Sequence, residues 1–225
     1  MPLREIAGPV GRLEALLDEP VERQPPNGGG FEVGGSAGLR AAVVLAHPHP
    51  LYGGTMHTKV VYQGAKALAR IGCEVLRFNF RGVGRSAGEW DEGRGEQDDF
   101  RSAVDFMAAR HPGLEIWAAG FSFGSYVALT AGARDDRVCA LAGIAPPVDR
   151  YDYAEVKRSA KPKFIIHGAE DELIPLKKVR EFYAQLQEPK ELVVIDRANH
   201  LFDGQASEVG DALEDLLGDF SCRKL

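Results

Sequence analysis

With 225 residues, 44% hydrophobic and 27% charged, and a net charge of −6, the chain suits one soluble domain over 1–225 with a sizeable core. The acidic balance, and the lack of any basic stripe interleaved with aromatics, argue against nucleic acid as a partner. The N-terminal MPLREIAGPVG lacks the apolar centre of a secretory signal and no apolar run reaches membrane-spanning length, so a cytoplasmic protein without a membrane partner is expected. Cys73, Cys139 and Cys222 form neither an even set nor a metal-like cluster. They are expected as reduced thiols, the first two buried in or beside apolar strands.

Arg12 to Leu17 partly alternates, with Leu13, Ala15 and Leu17 on one face, and predicts an N-terminal strand. From Asp18 to Gly38 the prolines at 20, 25 and 26 and the glycines at 28–30, 34, 35 and 38 break regular structure, so the rest of 1–40 reads as a flexible surface loop. One short strand, Phe31 to Val33, fits within it. No Lys-Ser/Thr and no helix follow those glycines, as a phosphate cradle would need.

From Ala41 strand and helix alternate. Strands are predicted at Ala41–Ala46, Val75–Phe80, Val138–Ile144, Lys163–His167 and Glu191–Ile195, and helices at Thr58–Ile71, closed by Gly72, and Gln97–His111. A further helix carries Val179, Phe182, Tyr183 and Leu186 on one face, and a last one Val209, Leu213, Leu216, Leu217 and Phe220. Such alternation means an α/β fold with a doubly wound, mostly parallel sheet flanked by helices.

Leu114 to Ala133 has the strongest signal: an apolar run, the turn Gly120-Phe-Ser-Phe-Gly124, and an apolar helix. G-x-S-x-G on a strand-turn-helix is the nucleophile elbow, which exposes and aims the Ser122 hydroxyl. Gly120 and Gly124 stand where a Cβ would strike the neighbouring strand or helix. The first N–H groups of the helix lack intrahelical partners and favour negative charge, which makes the Phe123 N–H one oxyanion donor.

Parallel sheets place ligands at the carboxyl ends of strands. Asp171, in HGAEDELIP, and His200, in DRANHLF, follow two such ends. Neighbouring strands would bring both to Ser122, in the chain order Ser, Asp, His of the α/β hydrolases. Glu170, Glu172 and Asp196 compete for the role of the acid. His167 lies in a strand and His111 at a helix end before Pro112, both structural positions, whereas the loop of His200 gives a base its freedom.

HPHPLYGGTMHTK, 47–59, follows the first parallel strand, where the second oxyanion donor should arise. Pro48 and Pro50 have no N–H, so His49 is preferred over Leu51, with Gly53 and Gly54 letting the backbone pass close to the elbow. Leu51, Tyr52 and Tyr153 are the candidate substrate contacts. His47, His49 and His57 suggest a zinc site, but no Cys or H-E-x-x-H supports one, and no metal is assigned. RGVGRSA, 81–87, echoes a dinucleotide loop, yet it opens no helix and no cofactor is assigned. Between two strands, where a cap domain is often inserted, stand only PVDRYDYAEVKRSAKP, 147–162, with at most one short helix near Tyr153 to Arg158.

Taken together, HPHPLYGGTMHTK, RFNFRGVGRSAGEWDEGRGEQDD, GFSFGSYVAL, IAPP, HGAEDELIP and NHLF, in order from about Ala41 to Asp203, resemble the small bacterial α/β hydrolases related to dienelactone hydrolase and to lidless serine esterases. The resemblance implies that fold without a cap, a Ser122, Asp171 and His200 triad, and an oxyanion hole from Phe123 and the His49 region. Dienelactone hydrolase uses a cysteine nucleophile, so its substrate does not carry over. The expected function is a cofactor-independent serine hydrolase acting on a small ester or thioester through an acyl-enzyme. Amide or peptide cleavage on the same triad, and a non-catalytic binding protein of the same fold, are the alternatives. A homodimer is compatible with the sequence.

Overall fold

The computed structural model describes residues 4–21 and 38–222. They form strands β1 (Glu5–Gly8), β2 (Gly11–Asp18), β3 (Ala42–Ala46), β4 (Glu74–Phe78), β5 (Ile116–Phe121), β6 (Val138–Ile144), β7 (Lys163–Gly168) and β8 (Lys190–Ile195). The helices are α1 (Lys59–Arg70), α2 (Arg94–Arg110), α3 (Phe123–Arg134), α4 (Ala154–Arg158), α5 (Leu176–Ala184) and α6 (Ala206–Leu217). The strands join in one sheet in the order β1-β2-β4-β3-β5-β6-β7-β8. β1 and β2, and β2 and β4, pair antiparallel; every other pair is parallel. The expected strand at 31–33 lies outside the described residues.

Every residue of β3, β4 and β5 is buried, as parallel strands covered on both faces must be. Side chains alternate between two cores. Val44 and Ala118 face α2, α3 and α5, whereas Val43, Leu45, Trp117 and Ala119 face α1 and α6. The charges within β4 are paired rather than solvated, which offsets their desolvation. Arg77 Nε donates to Asp18 at 2.6 Å and its Nη1 to Met56 O at 2.7 Å, while Glu74 accepts from Arg110 at 2.7 Å and meets His111 Nε2 at 2.5 Å. His111 thus closes α2, as its place before Pro112 suggests.

Several expectations need correction. The β1 hairpin strand has no sequence counterpart above, because four residues at a sheet edge carry too little pattern. Helix α2 starts at Arg94, where the Glu96 carboxylate accepts the Gly93 N–H at 2.7 Å. Phe220 lies beyond α6 and packs edge-on against Trp117 and Phe164. That return of the chain also overturns the thiol reading: Cys222 is bonded to the half-buried Cys139, and only Cys73 is a free, buried thiol among the described residues. Ser221 and the Cys222 N–H bind Glu115 at 2.7 and 3.1 Å, which fixes the tail beside β6.

Candidate active site

β5 ends in the predicted elbow. Ser122 has φ 52° and ψ −122°, a conformation that a non-glycine residue adopts only under strain held by its surroundings. Its N–H donates to Ile144 O of β6 at 2.8 Å. A Cβ on Gly120 would overlap the Gly124 carbonyl, and one on Gly124 would overlap His47 O and lie 2.6 Å from Ala46 O. Both glycines are therefore required where the sequence places them.

Ser122 Oγ lies 2.9 Å from His200 Nε2, and His200 Nδ1 lies 2.7 Å from Asp171 Oδ2. With Nδ1–H donating to the carboxylate, Nε2 keeps a lone pair that faces the Ser122 hydroxyl. Asp171 Oδ1 accepts the Leu173 and Ile174 N–H groups at 2.9 and 2.8 Å. Burial pushes the Asp171 carboxyl up, but the bonds from His200 and Ile174 and the charges of His200 and His167 outweigh it and hold it below its ordinary value.

Of the candidate acids, only Asp171 bonds the His200 ring among the described residues. Glu170 and Asp196 are exposed, and Glu172 takes only the His200 backbone N–H, at 3.4 Å. His167, fully buried, donates Nε2–H to Ile174 O at 2.8 Å and lies 3.5 Å from Asp171 behind the carboxylate. The strands that carry Ser122 and Asp171 are not neighbours, because β6 stands between β5 and β7. The loops after β7 and β8 nevertheless bring Asp171 to His200, and His200 to Ser122.

An apolar cavity of about 420 Å³ opens on Ser122 and His200. His49 and Phe123 line it, and neither of their backbone N–H groups has an acceptor among the described residues. The His49 ring caps the 3₁₀ turn Pro50–Tyr52, accepting the Leu51 N–H at 3.2 Å, and lies 4.6 Å from the Trp90 ring and 5.1 Å from Phe123.

Of the expected substrate contacts, Tyr52 lines the cavity, whereas Leu51 is exposed and outside its lining. Tyr153 is a correction: it is 2% exposed and packs on Tyr126 and Phe182. The Asp152 carboxylate accepts the Ala154 N–H at 2.8 Å, starting α4, and that turn sends Tyr153 and Val156 into the core. Tyr151, stacked on Tyr126 at 4.3 Å, lines the cavity instead. Arg150, Leu173 and Leu201 also line it without having been singled out. The latter two follow Asp171 and His200 so closely that sequence proximity was the available signal.

His47 is buried, and both ring nitrogens are engaged: Nδ1–H with Pro48 O at 2.6 Å, and Nε2 as acceptor of the Phe80 N–H at 3.0 Å. No lone pair remains for a metal, and the ring instead clamps the 47–54 loop. Arg81 likewise pairs with the buried Asp99 at 2.8 Å and Ser86 Oγ donates to Asn79 O at 2.7 Å, so 81–87 buttresses β4 and α2.

Burial pushes the His47 imidazole down to about 4; the hydrogen bond to Pro48 opposes the shift and His49 adds to it. Between that value and the ordinary one the unfolded chain binds the extra proton, so stability rises with pH and is lost on acidification. The loss assigned to His47 is on the order of 3 kcal/mol between about pH 6.5 and 4. Urea midpoints across that range should fall more steeply for the native protein than for His47→Gln, and parallel slopes would remove His47 as the cause.

The site can be set beside known proteins. The family model described as serine aminopeptidase, S33, matches residues 37–160, and that of PhoPQ-activated pathogenicity-related proteins matches 120–221. The chain is 33% identical to an uncharacterized protein, RP471, of Rickettsia prowazekii, covering 96% of this chain and 89% of that one. Among solved structures, an alpha-beta serine hydrolase homologue from Coxiella burnetii is 37% identical, covers 95% of both chains and has a TM-score of 0.84. XC6422 from Xanthomonas campestris, described as an a/b serine hydrolase without lid, is 36% identical with a TM-score of 0.83, covering 96% of this chain and 92% of that one. Among the described residues no helix is long and apolar enough to cross a membrane. A family model matching more than half of the chain, and near-complete alignment at 36–37% identity with structures described as serine hydrolases, carry the conclusion that this chain belongs to the α/β-hydrolase family of serine hydrolases.

Proposed function

We propose that the protein hydrolyses small carboxylic esters or thioesters through an acyl-enzyme, with Ser122, His200 and Asp171 as its catalytic triad. The observation that carries this reading is the unbroken hydrogen-bonded line Ser122–His200–Asp171 at the mouth of an apolar cavity. Ser122 Oγ attacks the carbonyl carbon as its proton passes to His200 Nε2, and the negative charge collects on the carbonyl oxygen facing the Phe123 and His49 N–H groups. Collapse expels the alcohol or thiol, which takes that proton from His200. Water, deprotonated by His200, then attacks the acyl-serine and releases the acid. Asp171 holds the imidazole tautomer and stabilises the imidazolium throughout.

Peptide cleavage is the second reading, supported by the description of the matching family model as serine aminopeptidase. An aminopeptidase must hold a free ammonium group, and among the described residues no carboxylate lines this cavity. Esters therefore fit better. A panel of aryl esters, thioesters and aminoacyl anilides decides: ester turnover far above anilide turnover is expected, and the reverse order would overturn the ester reading.

The linker 147–162 contributes only α4, whose Val156 is buried against the body, so among the described residues this linker forms no lid over the site. An acyl chain longer than the cavity remains in water, forfeiting roughly 0.8 kcal/mol for each exposed methylene. kcat/KM for p-nitrophenyl esters from acetate to palmitate should peak at short chains. A steady rise beyond octanoate would show that the apolar rim holds long chains.

A further inference from the structure

Among the described residues, Arg150 is the one lysine or arginine lining the Ser122 cavity, and no aspartate or glutamate lines it. The fold commits several other arginines to carboxylates: Arg77 to Asp18, Arg81 to Asp99, Arg110 to Glu74. The Arg150 guanidinium makes no ion pair and no hydrogen bond among the described residues. Among the described residues neither neighbouring carboxylate pairs with it: Asp152 accepts the Ala154 N–H, and Asp149 is exposed. The backbone at 150 is nevertheless fixed, since the Arg150 N–H donates to Pro147 O at 3.1 Å in the turn after β6. Its charge reaches the cavity walls. Burial lowers the His49 imidazole and Arg150 lowers it further, and Arg150 opposes the rise that burial imposes on the Tyr151 phenol.

An unpaired cation in an otherwise apolar, carboxylate-free cavity is a recognition element for a negative charge. We infer that Arg150 is a specificity-determining residue that selects esters carrying a carboxylate or similar anionic group, bound with their apolar body against Tyr151 and Leu173. The inference rests on the hydrolase reading above and names the substrate class of the same site. A charge-assisted hydrogen bond at an exposed guanidinium is worth about tenfold in binding.

Matched pairs test it with charge on either side of the scissile bond: 4-acetoxybenzoate against 4-acetoxybenzamide, and the p-nitrophenyl monoester of adipic acid against its terminal amide. In the native protein kcat/KM should favour the anion in at least one pair by about tenfold, through KM, and the preference should shrink as ionic strength rises. Arg150→Ala should erase that preference and Arg150→Lys should restore part of it. To separate this from turnover, 4-acetoxybenzoate and its amide are titrated calorimetrically into Ser122→Ala, with and without Arg150→Ala. Anion binding that depends on Arg150 without turnover of any of these esters by the native protein would overturn the hydrolase reading, and with it the selection of ester substrates, and leave only anion recognition by Arg150. Turnover with equal anion-to-neutral ratios in native and Arg150→Ala proteins, or binding of anion and amide that Arg150→Ala leaves equal, would overturn the inference.

Discussion

Ser122→Ala should abolish labelling by a fluorophosphonate probe and lower kcat for a short p-nitrophenyl ester by about 10⁴-fold or more, while circular dichroism stays native. The expectation follows from how the three residues share one proton. Without the serine oxygen no covalent intermediate forms, and only binding and the two backbone donors remain to stabilise charge on the substrate. His200→Ala should be about as damaging, because Nε2, 2.9 Å from Ser122 Oγ, is the proposed acceptor of the proton. The double variant should then lose little more than either single one, since the residues act as a unit. Asp171→Asn should be milder: the site keeps its shape, but an amide facing His200 Nδ1 at 2.7 Å no longer enforces the same tautomer. Turnover of Ser122→Ala within tenfold of the native protein would falsify the nucleophile, and a harmless Asp171→Asn would move the acid elsewhere.

What the sequence made legible is what short-range chemistry controls. Ser122 between Gly120 and Gly124, after an apolar strand and before an apolar helix, admits few conformations other than an elbow. The hydrogen-bonded pair Asp171 and His200 was legible because each lies in the loop that follows a strand end. Elements that depend on distant contacts were not. Cys139 and Cys222 lie 83 residues apart and meet only because the chain beyond α6 folds back to Trp117 and Glu115. Tyr151 and Tyr153 are equivalent in a pattern of alternating polarity. Which of them enters the cavity is settled by the turn that Asp152 starts, and that turn reversed the assignment. Arg150 carried no signal at all. A lone arginine in a charged linker reads as a solvated side chain until the walls beside it prove to be apolar.

Gly124→Ala should cost the protein both stability and activity, although it adds one methyl group well removed from the triad side chains. The new Cβ would overlap His47 O and stand 2.6 Å from Ala46 O, and both obstacles are backbone at the end of β3 rather than side chains that can rotate away. Relief requires α3 to move off β3, which disturbs the packing of its own Val127, Ala128 and Leu129, all wholly buried. Overpacking of this kind costs about 1–3 kcal/mol, or a fall in Tm of roughly 2–12 °C for a chain of this length. The same shift separates the proposed oxyanion donors, because Phe123 begins α3 and His49 follows the His47 carbonyl that is displaced. Moving catalytic groups by about 1 Å can cost 10²-fold, so kcat/KM should fall by about that factor with the triad residues all present. Gly64→Ala provides the contrast. There, in the middle of α1, the Cβ would meet only side-chain ends, Leu213 Cδ1 at 3.2 Å and Leu45 Cδ2 at 3.7 Å. Alanine regains about 1 kcal/mol of helix propensity at such a position, and activity should stay near native. A Gly124→Ala protein with native Tm and native kcat/KM would mean that the elbow tolerates a side chain there, and that the strain at Ser122 does not depend on the close approach of α3 to β3.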